Sequence, residues 1–167
     1  MVATISILIP LLALLATFFQ LHLQRLHNEK SLKPLGQVTL SDHSNIIGVY
    51  LYNNGLGPLI IDQLIFIKGN AIHASIKNCL DLDARSYMHI AMDDLAERVV
   101  LPNSHLAIFE KNFGDQANEI DLNHVKEQLS RITLKVSCRD IYNNRIIYER
   151  NLKWFSRYTC TSASKSG

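Results

Sequence analysis

Charge is missing from the start of this chain. No Lys, Arg, Asp or Glu occurs before Arg25, so the first 24 positions lack the side chains that give a soluble helix its polar face. Cysteine is scarce: there are three, at 79, 138 and 160, and no C-x-x-C pair. An odd number without close spacing argues against a disulfide framework and suits reduced thiols in a reducing compartment. No Asn-x-Ser/Thr acceptor occurs, so nothing marks a glycosylated exterior domain.

Catalytic signatures are also lacking. There is no G-x-S-x-G elbow and no G-x-x-x-x-G-K-[ST] loop, which the commonest acyl- and phosphoryl-transfer sites need. The histidines, at 22, 27, 43, 73, 89, 105 and 124, form neither H-x-x-x-H nor H-E-x-x-H. Without paired cysteines they supply no zinc set. Gly55-Leu56-Gly57 precedes a strand and not a helix, so it lacks the helix terminus a dinucleotide fingerprint requires. Asp81, Asp83, Asp93 and Asp94 gather between strands, but the D-x-D at Asp81 has neither the glycine nor the distal Glu of a calcium loop; solvated loop carboxylates are the commoner case. We therefore assign no catalytic, cofactor-binding or metal-binding residue and expect no cofactor. The net charge of +2, with both signs interspersed, gives no reason to expect nucleic acid as a partner.

What the N-terminus does have is an apolar run from Thr4 to Leu23 (TISILIPLLALLATFFQLHL). About 20 such residues cross a hydrocarbon core of roughly 30 Å. Its twelve Leu, Ile and Phe residues favour insertion by about 0.3–0.6 kcal/mol each, before Pro10, Gln20 and His22 subtract. A cleaved signal peptide is a second reading, but no basic residue precedes the run and Ala13-Leu14-Leu15-Ala16 has the wrong spacing for A-x-A. A buried helix of a soluble protein is the third; apolar residues on every face of the helix suit lipid better. Arg25, Lys30 and Lys33 follow the run against Glu29 alone, and basic flanks stay cytoplasmic. The expectation is a single-pass protein of the inner (plasma) membrane, N-terminus out and C-terminal domain in the cytoplasm.

The expected domains are an anchor over 1–24, a linker over 25–36, a β domain over 37–158 and a small, polar, disordered tail over 159–167. About 130 residues after the anchor suffice for one core. Pro34 and Gly36 are expected to end any helix leaving the membrane. Gln37–Leu40 reads as a short strand, Ser41–Asn45 as a turn, and Ile46–Tyr52 as a strand by its β-branched and aromatic content. Asn53-Asn54-Gly55-Leu56-Gly57-Pro58 is a dense turn signal whose glycines are expected to supply positive φ. Leu59–Ile67 is the next strand. This N-x-G-x-G-P turn with its flanking strands, after one N-terminal membrane helix, resembles a recurring arrangement in small bacterial single-pass membrane proteins. The resemblance covers about 20 residues, with a looser likeness at the C-terminal hairpin. It implies an immunoglobulin-like β-sandwich and no activity.

Further on, Ile76, Cys79 and Leu80 predict a short helix within Ala74–Leu82. Tyr87–Asp94 is ambiguous. Glu97–Leu101 and His105–Glu110 read as paired strands about Pro102-Asn103. Asp121–Arg131 reads as a helix with Asp121 as N-cap, an apolar face of Leu122, Val125 and Leu129, and a Glu127–Arg131 pair. Ile132, Leu134, Val136 and Cys138 alternate with polar residues, predicting a half-buried strand. Tyr142–Arg145 is a hairpin turn leading to a returning strand, whose pattern Arg150 interrupts.

The fold class expected is mainly β: an N-terminal transmembrane helix, then an immunoglobulin-like antiparallel β-sandwich with one or two short helices. Arg139, Arg145, Arg150, Lys153 and Arg157 beside Tyr142, Tyr148, Trp154, Phe155 and Tyr158 could protect a hairpin edge, touch an anionic leaflet or stack on single-stranded nucleic acid; edge protection is the commonest. The functional expectation is a membrane-anchored, non-enzymatic interaction protein. Its partners would be the bilayer through residues 4–23, an unidentified protein, and another copy of itself as a homo-oligomer. The alternative is a small-ligand-sensing β domain with Gly55–Pro58 and Asp81–Asp94 near its pocket.

Overall fold

The computed structural model of the chain describes residues 2–90, 98–114 and 117–161. It is mostly β, with a long apolar N-terminal helix and one further α-helix. The residues Ser162–Gly167 of the expected tail, and Asp93, Asp94 and Glu97, lie outside the described residues.

Helix α1 spans Val2–Ser31 with Pro10 inside it. From Leu8 onward it is long and apolar enough to cross a membrane, and none of it is buried. Exposure of its large apolar side chains runs from 41% at Leu26 to 65% at Phe19. The helix does not stop at residue 24. It continues through the polar stretch to Ser31 and ends before Pro34, whose ring disfavours helix in the residue preceding it.

Nine strands follow among the described residues: β1 (Gly36–His43), β2 (Ile46–Asn53), β3 (Leu59–Lys68), β4 (Ala71–His73), β5 (Met88–His89), β6 (Arg98–Val100), β7 (Ser104–Asn112), β8 (Ile132–Arg139) and β9 (Arg145–Asn151). One sheet runs β1-β2-β7-β5. The other runs β4-β3-β8-β9, with β6 also on β3. Every pairing is antiparallel. Both sheets turn alternate residues into one hydrophobic cluster, with Ile47, Val49, Leu51 and Phe109 from the first and Ile61, Phe66, Leu134 and Val136 from the second.

Several local readings are corrected. Strand β1 runs on to His43, because only Ser44 and Asn45 take positive φ (51° and 61°) and make a two-residue hairpin turn. In β3 the consecutive exposed residues Asp62 and Gln63 mark a bulge, which restores Leu64 and Phe66 to the core. Strands β6 and β7 are not partners: β6 pairs with β3 and β7 with β2, so Pro102-Asn103 is a corner between sheets. The short helix expected in Ala74–Leu82 is only a 3-10 turn at Ile76–Asn78, since burial of Ile76, Cys79 and Leu80 needs no more than one turn.

Helix α2 spans Glu119–Ser130, and its N-cap is Asn118, not Asp121; Asn118 Oδ1 accepts from the Ile120 N–H at 3.0 Å. Asp121 instead sits in the first turn, where its charge suits the helix dipole. Val125 and Leu129 are buried, Leu122 is half-buried, and Glu127 pairs with Arg131. Lys126 reaches Asp42 of β1 at 2.8 Å. A 3-10 stretch at Lys153–Thr161 packs on α2 and buries Phe155. These two elements cover the end of the core where β1 finishes and β8 begins. The other end faces α1.

Candidate functional site

The organised polar site of the molecule is the junction where α1 meets the β domain. Its hub is Asn53, which is fully buried. Val49, Leu51 and Asn53 share the inward face of β2, so a polar residue occupies a core position. Burial there is tolerable only if every donor and acceptor finds a partner. Asn53 Oδ1 accepts from the Leu35 N–H at 3.2 Å and the Gly55 N–H at 3.1 Å. Its Nδ2 donates to the Gly57 carbonyl at 2.8 Å and the Val100 carbonyl at 3.0 Å. All four sites of the amide are used. The Asn53 carbonyl also accepts from the Asn103 N–H at 2.8 Å. One side chain therefore ties the chain leaving α1, the N-x-G-x-G-P turn and the corner between β6 and β7.

The glycines of that turn serve close approach and not left-handed φ. Positive φ among glycines is found at Gly69 and Gly114, not at Gly55 or Gly57. A Cβ on Gly57 would overlap the Leu32 carbonyl oxygen, and one on Gly55 would meet the backbone of Lys33 to Leu35. The backbone after α1 thus lies directly on the turn, and the Asn54 N–H donates to the Leu35 carbonyl at 2.8 Å.

A second grip comes from the β8–β9 hairpin. Asp140 is 4% exposed. Its Oδ1 accepts from the N–H groups of Tyr142 and Asn144 at 2.8 and 2.9 Å, and its Oδ2 from Asn144 Nδ2 at 2.9 Å. Burial pushes this carboxyl up, but the Asn144 and Tyr142 donors and the charge of Lys33 outweigh burial, and the net shift is downward. Asn143 takes φ 65°, as expected for this turn. Asn144 Nδ2 also donates to Glu29 Oε1 of α1 at 3.1 Å. Between helix and hairpin lies a cleft of about 400 Å³ lined by Leu26, Glu29, Lys30, Lys33, Asp140, Asn144, Arg145 and Ile146.

The edge strands β1 and β9 are joined by side chains. Tyr148 Oη accepts from the Gly36 N–H at 2.9 Å, and Arg150 Nη1 donates to the Val38 carbonyl at 2.7 Å. Arg150 breaks the apolar pattern of β9 because it spans the gap between the sheets.

The basic and aromatic residues of the C-terminal hairpin do not form one surface. Arg139 pairs with Asp62 at 2.8 Å. Arg157 lies 3.4 Å over the Trp154 ring, at the end away from α1. Phe155 is buried, and the Tyr158 side chain is outside the described residues. Arg145, Tyr142 and Tyr148 stand nearest the junction, Tyr148 through its bond from the Gly36 N–H. Among the described residues no group of three or more His, Cys, Asp or Glu could hold a metal. His105 stacks on Tyr52 (centroids 4.9 Å apart), while His124 lies beside Gln128 on α2. The Gly55–Pro58 turn and the Asp81 segment sit at opposite ends of β3, since the turn leads into Leu59 while Lys68 Nζ donates to the Cys79 carbonyl. Among the described residues they line no common pocket. Burial pushes the Cys138 thiol up to about 12, with the Asp62 charge adding to it, and also raises Cys79. Neither carries the depressed pKa of a nucleophilic cysteine.

No protein-family model matches the chain, and no curated protein matches it. Among solved structures it has a likeness to the archaellum periplasmic stator protein FlaG from Sulfolobus acidocaldarius, at 11% identity and a TM-score of 0.26, over 70% of this chain and 100% of that one.

Proposed function

We propose that the chain is a single-pass, membrane-anchored, non-enzymatic interaction protein. Helix α1 holds it in the inner (plasma) membrane with the N-terminus out, and a cytoplasmic immunoglobulin-like sandwich docks another protein component. The observation that carries this reading is the junction. A flexible tether needs no buried hub, yet here Asn53 and the Asp140–Asn144 turn fix the helix exit to two places on the domain. A clamped exit holds the outer faces of both sheets at a set angle and height above the bilayer, which suits presentation to a partner. Self-association through the exposed face of α1 belongs to the same reading.

The test is site-specific photo-crosslinking of the full chain in intact membranes, from position 52 on the outer face of β2. Discrete adducts that weaken when the junction is loosened by Gly57→Ala support the proposal. Monomer alone at every tested surface position, together with turnover of a small substrate by the purified protein, would overturn it.

A further inference from the structure

The hairpin that grips α1 also carries exposed apolar residues at its tip. Ile141 is 47% and Tyr142 37% exposed, although Asp140 beside them is buried. Both side chains are open to solvent at the end of the domain that faces α1. Their height can be worked out. Glu29 is six residues past Leu23, or about 9 Å along the helix. The Asn144–Glu29 hydrogen bond places the hairpin at that level. Residues 141–143 adjoin Asn144 in the same turn, so the tip lies within about one strand residue, roughly 3 Å, of that level. The tip then lies about 6–12 Å beyond the hydrocarbon edge, a span that meets the polar layer of the leaflet, roughly 5–8 Å deep. Isoleucine and tyrosine at that depth match the amphipathic side chains found at membrane interfaces.

Charge behind the tip agrees. Lys30, Lys33 and Arg145 line the cleft with the apolar side chains of Leu26 and Ile146. Glu29 and Asp140 share the cleft and accept from Asn144, and the Lys33 charge acts on Asp140, so the lining carries three cationic groups against two carboxylates. Lys30 and Arg145 have no ion pair among the described residues. The cleft thus offers cationic groups over apolar walls at headgroup height.

We propose that the β8–β9 tip and this cleft form a second membrane contact, in which Ile141 and Tyr142 enter the interface and Lys30, Lys33 and Arg145 take anionic phospholipid headgroups of the leaflet from which α1 emerges. The inference rests on the anchor reading above. It adds that the domain leans on the bilayer with a fixed side down.

The chain has one tryptophan, Trp154, at the end away from α1, which makes the test direct. Full-length protein is reconstituted in phosphatidylcholine vesicles with or without about a quarter phosphatidylglycerol, with spin-labelled lipids as quenchers. Single tryptophans are placed by Phe18→Trp, Tyr142→Trp and Ile147→Trp in a Trp154→Phe background; if that background fails to fold, wild-type emission is subtracted instead. The expected order of quenching is Phe18→Trp deepest, then Tyr142→Trp at headgroup depth, with Ile147→Trp weaker and wild-type Trp154 near zero. The Tyr142→Trp signal rises several-fold with anionic lipid and loses that rise in Lys30→Gln/Arg145→Gln. Deep quenching of Phe18→Trp with Tyr142→Trp no stronger than Trp154 overturns this inference and leaves the anchor standing. Absence of quenching at Phe18→Trp overturns the anchor reading and this inference with it. Equal Tyr142→Trp quenching in neutral and anionic vesicles overturns the headgroup assignment.

Discussion

Replacing Asn53 with alanine is the sharpest perturbation of the junction. The variant removes four hydrogen bonds from a site with no solvent exposure. The Leu35 N–H belongs to an exposed residue and can turn to water. The Gly55 N–H and the Gly57 and Val100 carbonyls sit in buried bonds and cannot. Leaving a buried polar group unpaired costs about 1–3 kcal/mol; three such groups, with partial relaxation, give a loss of about 3–5 kcal/mol. For a domain of this size that is a fall in Tm of about 10–20 °C. The assay is thermal unfolding of the full chain in detergent, followed through the near-ultraviolet signal of the β domain so that micelle-bound helix does not contribute. Asn53→Asp is expected to be at least as damaging, because a carboxylate would face the Gly57 and Val100 carbonyls without donors. Asn54→Ala, which loses one exposed bond to Gln37 Oε1, should change stability by about 0.5 kcal/mol or less. A shift for Asn53→Ala as small as that for Asn54→Ala would refute the reasoning, since the hub would then contribute nothing beyond a surface contact.

Other outcomes follow from the same geometry. Gly57→Ala should loosen the helix exit by forcing its Cβ against the Leu32 carbonyl, seen as new protease cleavage between Ser31 and Gly36 in reconstituted protein while the β domain stays folded. Tyr50, raised to about 12 by burial and then by its hydrogen bond to Glu110, should stay protonated in the folded state past pH 10. Its folded pKa lies above its unfolded value, so its contribution is complete below pH 10 and is lost as pH rises from 10 toward 12. Ultraviolet titration of tyrosinate in wild type and Tyr50→Phe checks this. Cys79 and Cys138 should resist alkylation in the native chain at pH 8 and react once it is unfolded, as read by peptide mass mapping.

Much of the fold is legible in the sequence, for reasons that differ along the chain. Strand β8 is plain because its four inward residues alternate strictly, a pattern set by burial of one face alone. The apolar α1 run is plain because it has no polar face. Partnering is less legible. Strands β6 and β7 flank a two-residue turn that reads as a hairpin, and only the distant Asn53, holding the Val100 carbonyl and the Asn103 N–H, makes that turn a corner between sheets. The N-x-G-x-G-P turn is visible as a turn, but the reason for its glycines is not, because the segment that would collide with a Cβ lies 20 to 25 residues earlier. Asn53 itself has a readable signal: after Val49 and Leu51, it is the next inward position of β2. Asp140, Asn144 and Glu29 have none, since their meeting depends on how far α1 continues past the apolar run.

The proposed function requires α1 to cross the membrane with the β domain on the cytoplasmic side. Protease accessibility of full-length protein carrying an epitope after Gly167, compared in spheroplasts and inverted membrane vesicles, tests that directly. The account predicts an epitope that sediments with carbonate-washed membranes, is protected in spheroplasts and is cleaved in inverted vesicles. Cleavage in spheroplasts, or recovery of the epitope in the soluble fraction, would contradict it.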